Sequence, residues 1–319
     1  MPLIDMPLEQ LYQYQGRNPL PTDFDEYWEQ GLHEMKLTNA QVELVPSSFQ
    51  VPHAECFHLY YTGVRGARIH AKYVRPKHVQ RPHPAIISFH GYTGRSSDWS
   101  ELLSYASLGI AVFAMDCRGQ GGLSEDVGNV KGTTHNGHII RGLDSKPEDL
   151  LFRHIFLDAV QLAGLAMNRT EIDPNRIGVI GGSQGGGLAL ACAALEPRIR
   201  RVSSYYPFLS DYQRVWEMDL AKDAYQELRS YFRQFDPQHT RKEAIFTRLG
   251  YIDIQHLAPR IEAEVLMAVG LMDTICPPST QFAAYNKIKA PKSLELYPDF
   301  GHEHLPCFQD KTMQFLLKM

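Results

Sequence analysis

Arg176-Ile177-Gly178-Val179-Ile180-Gly181-Gly182-Ser183-Gln184-Gly185-Gly186-Gly187-Leu188-Ala189-Leu190-Ala191 is the stretch that decides the fold. Arg176 to Ile180 is a short apolar run of the kind that forms a buried strand. Gly185 to Leu195 has the alanine and leucine content of a helix. Between them, Gly181-Gly182-Ser183-Gln184-Gly185 fits G-x-S-x-G. A serine between a strand and a helix is the setting of a nucleophile elbow, whose side chain stands exposed at a sharp turn. Such a turn holds its central residue at strained backbone angles, and glycines on either side let strand and helix approach closely. A dinucleotide-binding loop is the rival reading. Gly178, Gly181 and Gly182 do not give its G-x-G-x-x-G spacing, so the serine reading is preferred.

The same alternation extends in both directions. Ala85 to Phe89 and Ile110 to Met115 are apolar runs, and Asp98 to Ser107 and Asp149 to Met167 have helical spacing. Val202 to Tyr206, Val265 to Val269 and Ser293 to Tyr297 continue the strands, and Phe308 to Lys318 reads as a closing helix. Strands alternating with helices predict a mostly parallel sheet covered on both faces, an α/β fold, and the serine elbow on it points to the α/β-hydrolase kind. Upstream, Glu55 to Tyr61 and Arg68 to Arg75 suggest an antiparallel hairpin at a sheet edge. Thr22 or Asp23 is placed to cap a helix through Phe24, Tyr27 and Trp28. Residues 209–259 mix aromatic and charged positions and predict a helical insertion, either a cap over a site or a second helical layer. No long linker divides the chain, so residues 1–319 are expected to form one domain.

A serine hydroxyl needs a base, and the base needs an orienting carboxylate. In this fold the order along the chain is serine, acid, histidine. Asp273 follows Val265 to Val269, and His302 follows Ser293 to Tyr297, so both fall past strand ends. Sites of open α/β sheets gather at that edge. Three rivals compete for these roles. Asp299 sits in a turn close to His302, Asp253 lies within the insertion, and His304 follows Glu303. His302-Glu303-His304 also invites a metal reading. Its two imidazoles are two residues apart and would not share a helix face, so neither a metal nor any other cofactor is expected. The N–H of Gln184, directly after the serine, and that of Tyr92, in His90-Gly91-Tyr92 after another strand, are the candidate oxyanion donors.

Composition bounds the partners. The 319 residues carry 32 Lys and Arg against 36 Asp and Glu, a formal charge of -4. That excludes a broad basic surface and phosphate-driven nucleic-acid binding as the main role. No apolar run reaches the roughly 18 residues of a membrane span, so no membrane partner is expected. The five scattered cysteines contain no C-x-x-C pair, which suggests reduced thiols in a cytoplasmic enzyme. Met1-Pro2-Leu3-Ile4-Asp5 lacks a basic and then apolar leader pattern.

The quoted motifs, with Asn18-Pro19, Asp23-Phe24-Asp25-Glu26-Tyr27-Trp28, Arg118-Gly119-Gln120-Gly121 and Gly270-Leu271-Met272-Asp273, carry a family resemblance. The chain resembles the acetyl xylan esterase/cephalosporin C deacetylase family, carbohydrate esterase family 7, over nearly its whole length. Arg-Gly-Gln, Gly-x-Ser-Gln-Gly and His-Glu together are that family's signature. The resemblance implies a serine esterase that deacetylates small O-acetylated substrates, including acetylated xylo-oligosaccharides and cephalosporin C. It implies a triad of Ser183, Asp273 and His302, with Tyr92 and Gln184 supplying the oxyanion N–H groups. Phe208 and Ile275 fall where the family lines its acetyl pocket. A cytoplasmic, doughnut-like hexamer is also implied. Leu151-Phe152 replace an aromatic pair that often precedes the arginine at position 153. Arg118 and Gln120 read as loop-holding residues. A prolyl-oligopeptidase-like peptidase and a non-catalytic ligand-binding protein on the same scaffold are the competing functions.

Overall fold

The computed structural model describes residues 4–79, 82–127, 130–131 and 134–319. Met1 to Leu3, read above for a leader, lie outside the described residues. Among the described residues nine strands form one sheet. In chain order they are β1 (Glu43–Pro46), β2 (Ala54–Thr62), β3 (Arg68–Pro76), β4 (His83–Phe89), β5 (Ala111–Met115), β6 (Ile172–Gly182), β7 (Arg201–Tyr205), β8 (Glu264–Gly270) and β9 (Lys292–Tyr297). Their spatial order is β1-β2-β3-β5-β4-β6-β7-β8-β9. The first three strands pair antiparallel, as does β3 with β5. From β5 onward every pairing is parallel. The expected hairpin is β2 with β3, but the edge belongs to β1, which pairs with β2 at Glu43↔Tyr60. β1 is only four residues long and half exposed, so it carries little hydrophobic signal.

The principal helices are α1 (Phe24–Leu37), α2 (Trp99–Ser107), α3 (Leu151–Met167), α4 (Gln184–Leu195), α5 (Tyr212–Glu217), α6 (Gln226–Phe235), α7 (Lys242–Gly250), α8 (Pro278–Lys287) and α9 (Phe308–Leu316). Successive side chains of a strand point to opposite faces, which divides the core into two layers. In β4, Ala85, Ile87 and Phe89 pack in one layer with α3 and α4. Ile86 packs in the other with Leu102 of α2 and Phe315 of α9. Burial on both faces explains why the central strands read as continuous apolar runs. α3 is buried along nearly its whole length, so Leu151 and Phe152 replace the aromatic pair without exposing a surface.

Asp23 does begin α1, yet its side chain makes no cap bond. Its carboxylate instead accepts the Tyr251 hydroxyl at 2.5 Å, tying the helix to the insertion. Trp28 Nε1 donates to the Tyr251 carbonyl, and its ring stacks on Phe156 of α3. Asn18 donates through Nδ2 to the Phe246 carbonyl and through its backbone N–H to Asp211. The N-terminal segment therefore holds the insertion, which contains α5, α6 and α7.

Beneath the sheet's carboxyl edge lies a buried ion pair. Arg118 Nε and Nη2 meet the two oxygens of Asp158 on α3 at 2.7 and 2.6 Å. Arg118 Nη2 also reaches the Val64 carbonyl at 3.1 Å. Removing one partner of a fully buried pair leaves an uncompensated charge. Asp158→Ala is expected to lower the unfolding free energy by about 3–5 kcal/mol, read from urea denaturation. The double substitution Arg118→Met/Asp158→Leu should recover most of that loss.

Candidate active site

Four carboxyl ends of parallel strands deliver the chemistry-bearing residues to one edge: β4 leads to Tyr92, β6 to Ser183, β8 to Asp273 and β9 to His302. Ser183 has φ 55° and ψ -123°, a conformation a non-glycine residue adopts only under constraint. Its N–H donates to the Tyr205 carbonyl of β7 at 3.0 Å, and its carbonyl accepts from Gly187 and Phe208. The flanking glycines are needed for clearance. A Cβ on Gly181 would fall 2.3 Å from the Gly185 backbone, and one on Gly185 would fall 2.2 Å from the Phe89 carbonyl oxygen.

Asp273 is fully buried, and its oxygens are divided between two tasks. Oδ1 accepts the backbone N–H groups of Ile275 and Cys276, each at 2.8 Å. Oδ2 meets His302 Nδ1 at 2.8 Å. This fixes the imidazole's orientation and leaves Nε2 as the nitrogen open to a hydroxyl. The His302 side chain is 20% exposed. Tyr206, itself at φ 36°, lays its ring 4.4 Å from the His302 ring.

Ser183 and His302 both line a cavity of about 550 Å³, together with Tyr92, Tyr206, Ile275 and Ala224. The Cys276 thiol lies beside the Ser183 side chain. Burial pushes that thiol's pKa well above its usual range, the charge of Asp273 adds to the effect, and the Ser183 side chain partly lowers it. Among the described residues no hydrogen bond joins the Ser183 hydroxyl to the His302 imidazole. Apo sites often hold such groups short of their reactive alignment. Sequence reasoning passed over Cys276, because a lone buried cysteine carries no local pattern.

The two proposed oxyanion donors are both open. Among the described residues, neither the Tyr92 N–H nor the Gln184 N–H donates to an acceptor. The Gln184 side chain forms a reciprocal amide pair with Gln120, at 2.7 and 3.0 Å. This is the loop-holding contact expected of Gln120. His90 acts as a second pin. Its Nε2 accepts the Cys117 N–H at 3.0 Å, so Nδ1 carries the proton and donates to the Gly91 carbonyl at 2.7 Å.

The rivals occupy other positions. Asp253 caps the one-turn helix Ile254–Leu257 and accepts the Asp211 N–H at 2.9 Å. Asp299 and His304 are exposed. Ile275 lies on the cavity wall. Phe208 sits one layer behind, with its ring 5.3 Å from Tyr92 and 4.3 Å from Tyr225. Asp273, Cys276 and His302 bring ligand-type atoms within 4.8 Å of one another. The imidazole Nδ1 of that cluster is already engaged by Asp273. No helix among the described residues is long and apolar enough to cross a membrane.

A parallel-centred sheet with a serine elbow, and an acid–histidine pair past later strands, defines an α/β-hydrolase. The acylaminoacyl peptidase of Pyrococcus horikoshii shares this fold at a TM-score of 0.61 and 14% identity, over 84% of this chain and 41% of that one. The acetyl xylan esterase (AXE1) family matches residues 1–319. The chain belongs to that family, which places it among the carboxylic ester hydrolases. It is similar to the crystal structure of acetyl xylan esterase 1 from Thermoanaerobacterium sp. JW/SL YS485, with 61% identity, a TM-score of 0.96 and 99% of both chains covered. It is also 26% identical over 291 residues to the acetyl esterase Axe7A of Xylanibacter ruminicola, covering 88% of this chain. The match spans 63% of that curated relative's length, less than two thirds.

The packing of the elbow makes its own prediction. Gly185→Ala is expected to destabilise the fold by about 3 kcal/mol or more through the clash with Phe89. Gly91→Ala, whose Cβ would meet nothing within 4 Å, should change stability by less than about 0.5 kcal/mol. Thermal melts of the two variants check the contrast.

Proposed function

We propose that this protein is a serine esterase that releases acetate from small O-acetylated substrates through an acetyl-enzyme. The observation that carries this reading is the single cavity shared by Ser183 and His302, with Asp273 hydrogen-bonded behind the imidazole. In this reading His302 Nε2 takes the hydroxyl proton as Ser183 Oγ attacks the acetyl carbonyl carbon. The oxyanion rests on the N–H groups of Tyr92 and Gln184. The tetrahedral intermediate collapses, the bond to the alkoxide breaks, and the imidazolium returns its proton to the departing hydroxyl. A water then attacks the acetyl-enzyme by the same steps and acetate leaves. Asp273 holds the imidazole and stabilises its protonated form.

Acetylated xylo-oligosaccharides are the proposed substrates, because the chain's relatives are named as acetyl xylan and acetyl esterases. The acetyl ester of cephalosporin C offers the same carbonyl on a different leaving group. Ile275 on the cavity wall, backed by Phe208 behind Tyr92, would limit the length of the acyl chain.

Ser183→Ala is expected to keep the fold, by circular dichroism and thermal melt, and to lose acetate release. Undiminished turnover of p-nitrophenyl acetate by the pure variant would overturn the nucleophile assignment. Asp273→Asn should lower kcat by about 10⁴-fold, the loss seen when a triad histidine is held in the wrong tautomer. Esters of acetate, butyrate and octanoate test the acyl pocket in the wild type. A steep fall in kcat/KM with chain length is expected, and a flat profile would remove the small-pocket reading.

A further inference from the structure

Glu227 is a carboxylate at the start of α6, only 5% exposed, that takes no part in the chemistry above. Its Oε1 accepts the phenol of Tyr92. Its Oε2 accepts the backbone N–H groups of Ile139 at 2.7 Å and Ile140 at 3.0 Å. The Tyr92 phenol oxygen accepts in turn from the His138 N–H at 3.3 Å, and the His138 ring stands edge-on to the tyrosine ring. One buried side chain therefore joins three segments that line the same cavity: the loop of Tyr92 and Thr93, the loop of His135 and Asn136, and the insertion at Ala224.

The Tyr92 loop is held from its backbone as well. Gly91 precedes the tyrosine, and Thr93 follows at φ 60°. Within the loop, the Gly94 N–H returns to the Gly91 carbonyl at 3.1 Å. That carbonyl belongs to the peptide that carries the Tyr92 N–H, and it also accepts from His90 Nδ1 at 2.7 Å, so the peptide is already held on its carbonyl side. The ring of Tyr92 is the lever that fixes the remaining freedom of this peptide, and Glu227 holds the end of the lever.

We propose that Glu227 is a positioning residue for the deacetylation reaction: by holding the Tyr92 phenol it aims the Tyr92 N–H at the transition-state oxyanion. The proposal rests on the reading of that N–H as an oxyanion donor. It also gives the insertion a role, since α6 carries the carboxylate. A glutamine can serve at this position. Its carbonyl accepts the two backbone N–H groups while its amide donates to the phenol oxygen. A leucine can do neither.

The test is steady-state hydrolysis of p-nitrophenyl acetate by the full-length variants. Glu227→Gln is expected to retain kcat within about threefold. Glu227→Leu should lower kcat by about 100-fold with KM changed by less than about threefold, the pattern of an interaction made in the transition state. Tyr92→Phe, which removes only the phenol oxygen, should lower kcat at least about tenfold, with KM likewise little changed. The Glu227→Leu/Tyr92→Phe double variant should fall no further than the worse single one, since both break the same contact. If Glu227→Leu does not fold, Tyr92→Phe decides. Wild-type kcat in Tyr92→Phe, or equal loss in Glu227→Gln and Glu227→Leu, would overturn the clamp. With Ser183→Ala inactive, that result leaves the esterase reading standing, whereas an active Ser183→Ala would remove the esterase reading itself.

Discussion

The site depends first on a backbone that must be held where it would not rest. Ser183 at φ 55° and ψ -123° lies in a region that costs a non-glycine residue about 1–3 kcal/mol. The surrounding structure supplies that restraint. Tyr205 of the neighbouring strand accepts the serine N–H, and the serine carbonyl accepts from the first turn of α4 and from Phe208. Glycines at 181, 182 and 185 remove the side chains that would otherwise collide with the helix backbone, with Tyr205 and with β4. The turn is strained at one residue and unobstructed on both sides, which puts the hydroxyl above the sheet edge.

A second layer of contacts converts the elbow into a site. Gln120 and Gln184 exchange amide hydrogen bonds, so the loop after β5 holds the residue directly after the serine. Arg118, two residues before Gln120, anchors that loop to α3 through Asp158. Asp116 braces the other side. Burial alone would raise its pKa, but His70 and the N–H groups of Leu123 and Ser96 more than offset this and hold it ionised. The arginine and glutamine of the Arg-Gly-Gln motif thus work below the cavity rather than within it. A chain of buried polar contacts of this kind is worth having only when each member is paired.

The insertion is part of the same construction. Asp211 accepts the N–H groups of Arg17 and Asn18 and the hydroxyl of Tyr14, and Asp253 accepts the Asp211 N–H. Burial, with the neighbouring charge of Asp211, raises the Asp253 carboxyl to about 7. Residues near the amino terminus and residues some two hundred positions later therefore meet in one buried network. Glu227 of α6, in the same insertion, reaches the cavity wall through Tyr92. The mixed aromatic and charged reading of residues 209–259 has its counterpart here: Leu228, Tyr231 and Phe232 of α6 and Ile245, Phe246 and Leu249 of α7 turn into the core, while polar side chains tie the insertion to the N-terminal segment.

The amino-acid sequence by itself determined the alternation of strands and helices, the serine elbow and the order serine, aspartate, histidine. Those are local signals: apolar periodicity, glycines at a tight turn, and positions just past strand ends. The short edge strand Glu43–Pro46 left no such signal, because four half-exposed residues have no periodicity to read. Only the tertiary structure decided which acid meets which imidazole. The chain favoured Asp273 for its place just past a strand end, and it is the folded structure that sets Asp273 2.8 Å from His302 while Asp253 caps a short helix of the insertion. The thiol of Cys276 beside Ser183, the amide pair of Gln120 and Gln184, and the carboxylate of Glu227 behind Tyr92 were likewise decided by packing. Each joins groups brought together by strand order and loop closure, and a contact set by three-dimensional proximity leaves no spacing in the chain from which to read it.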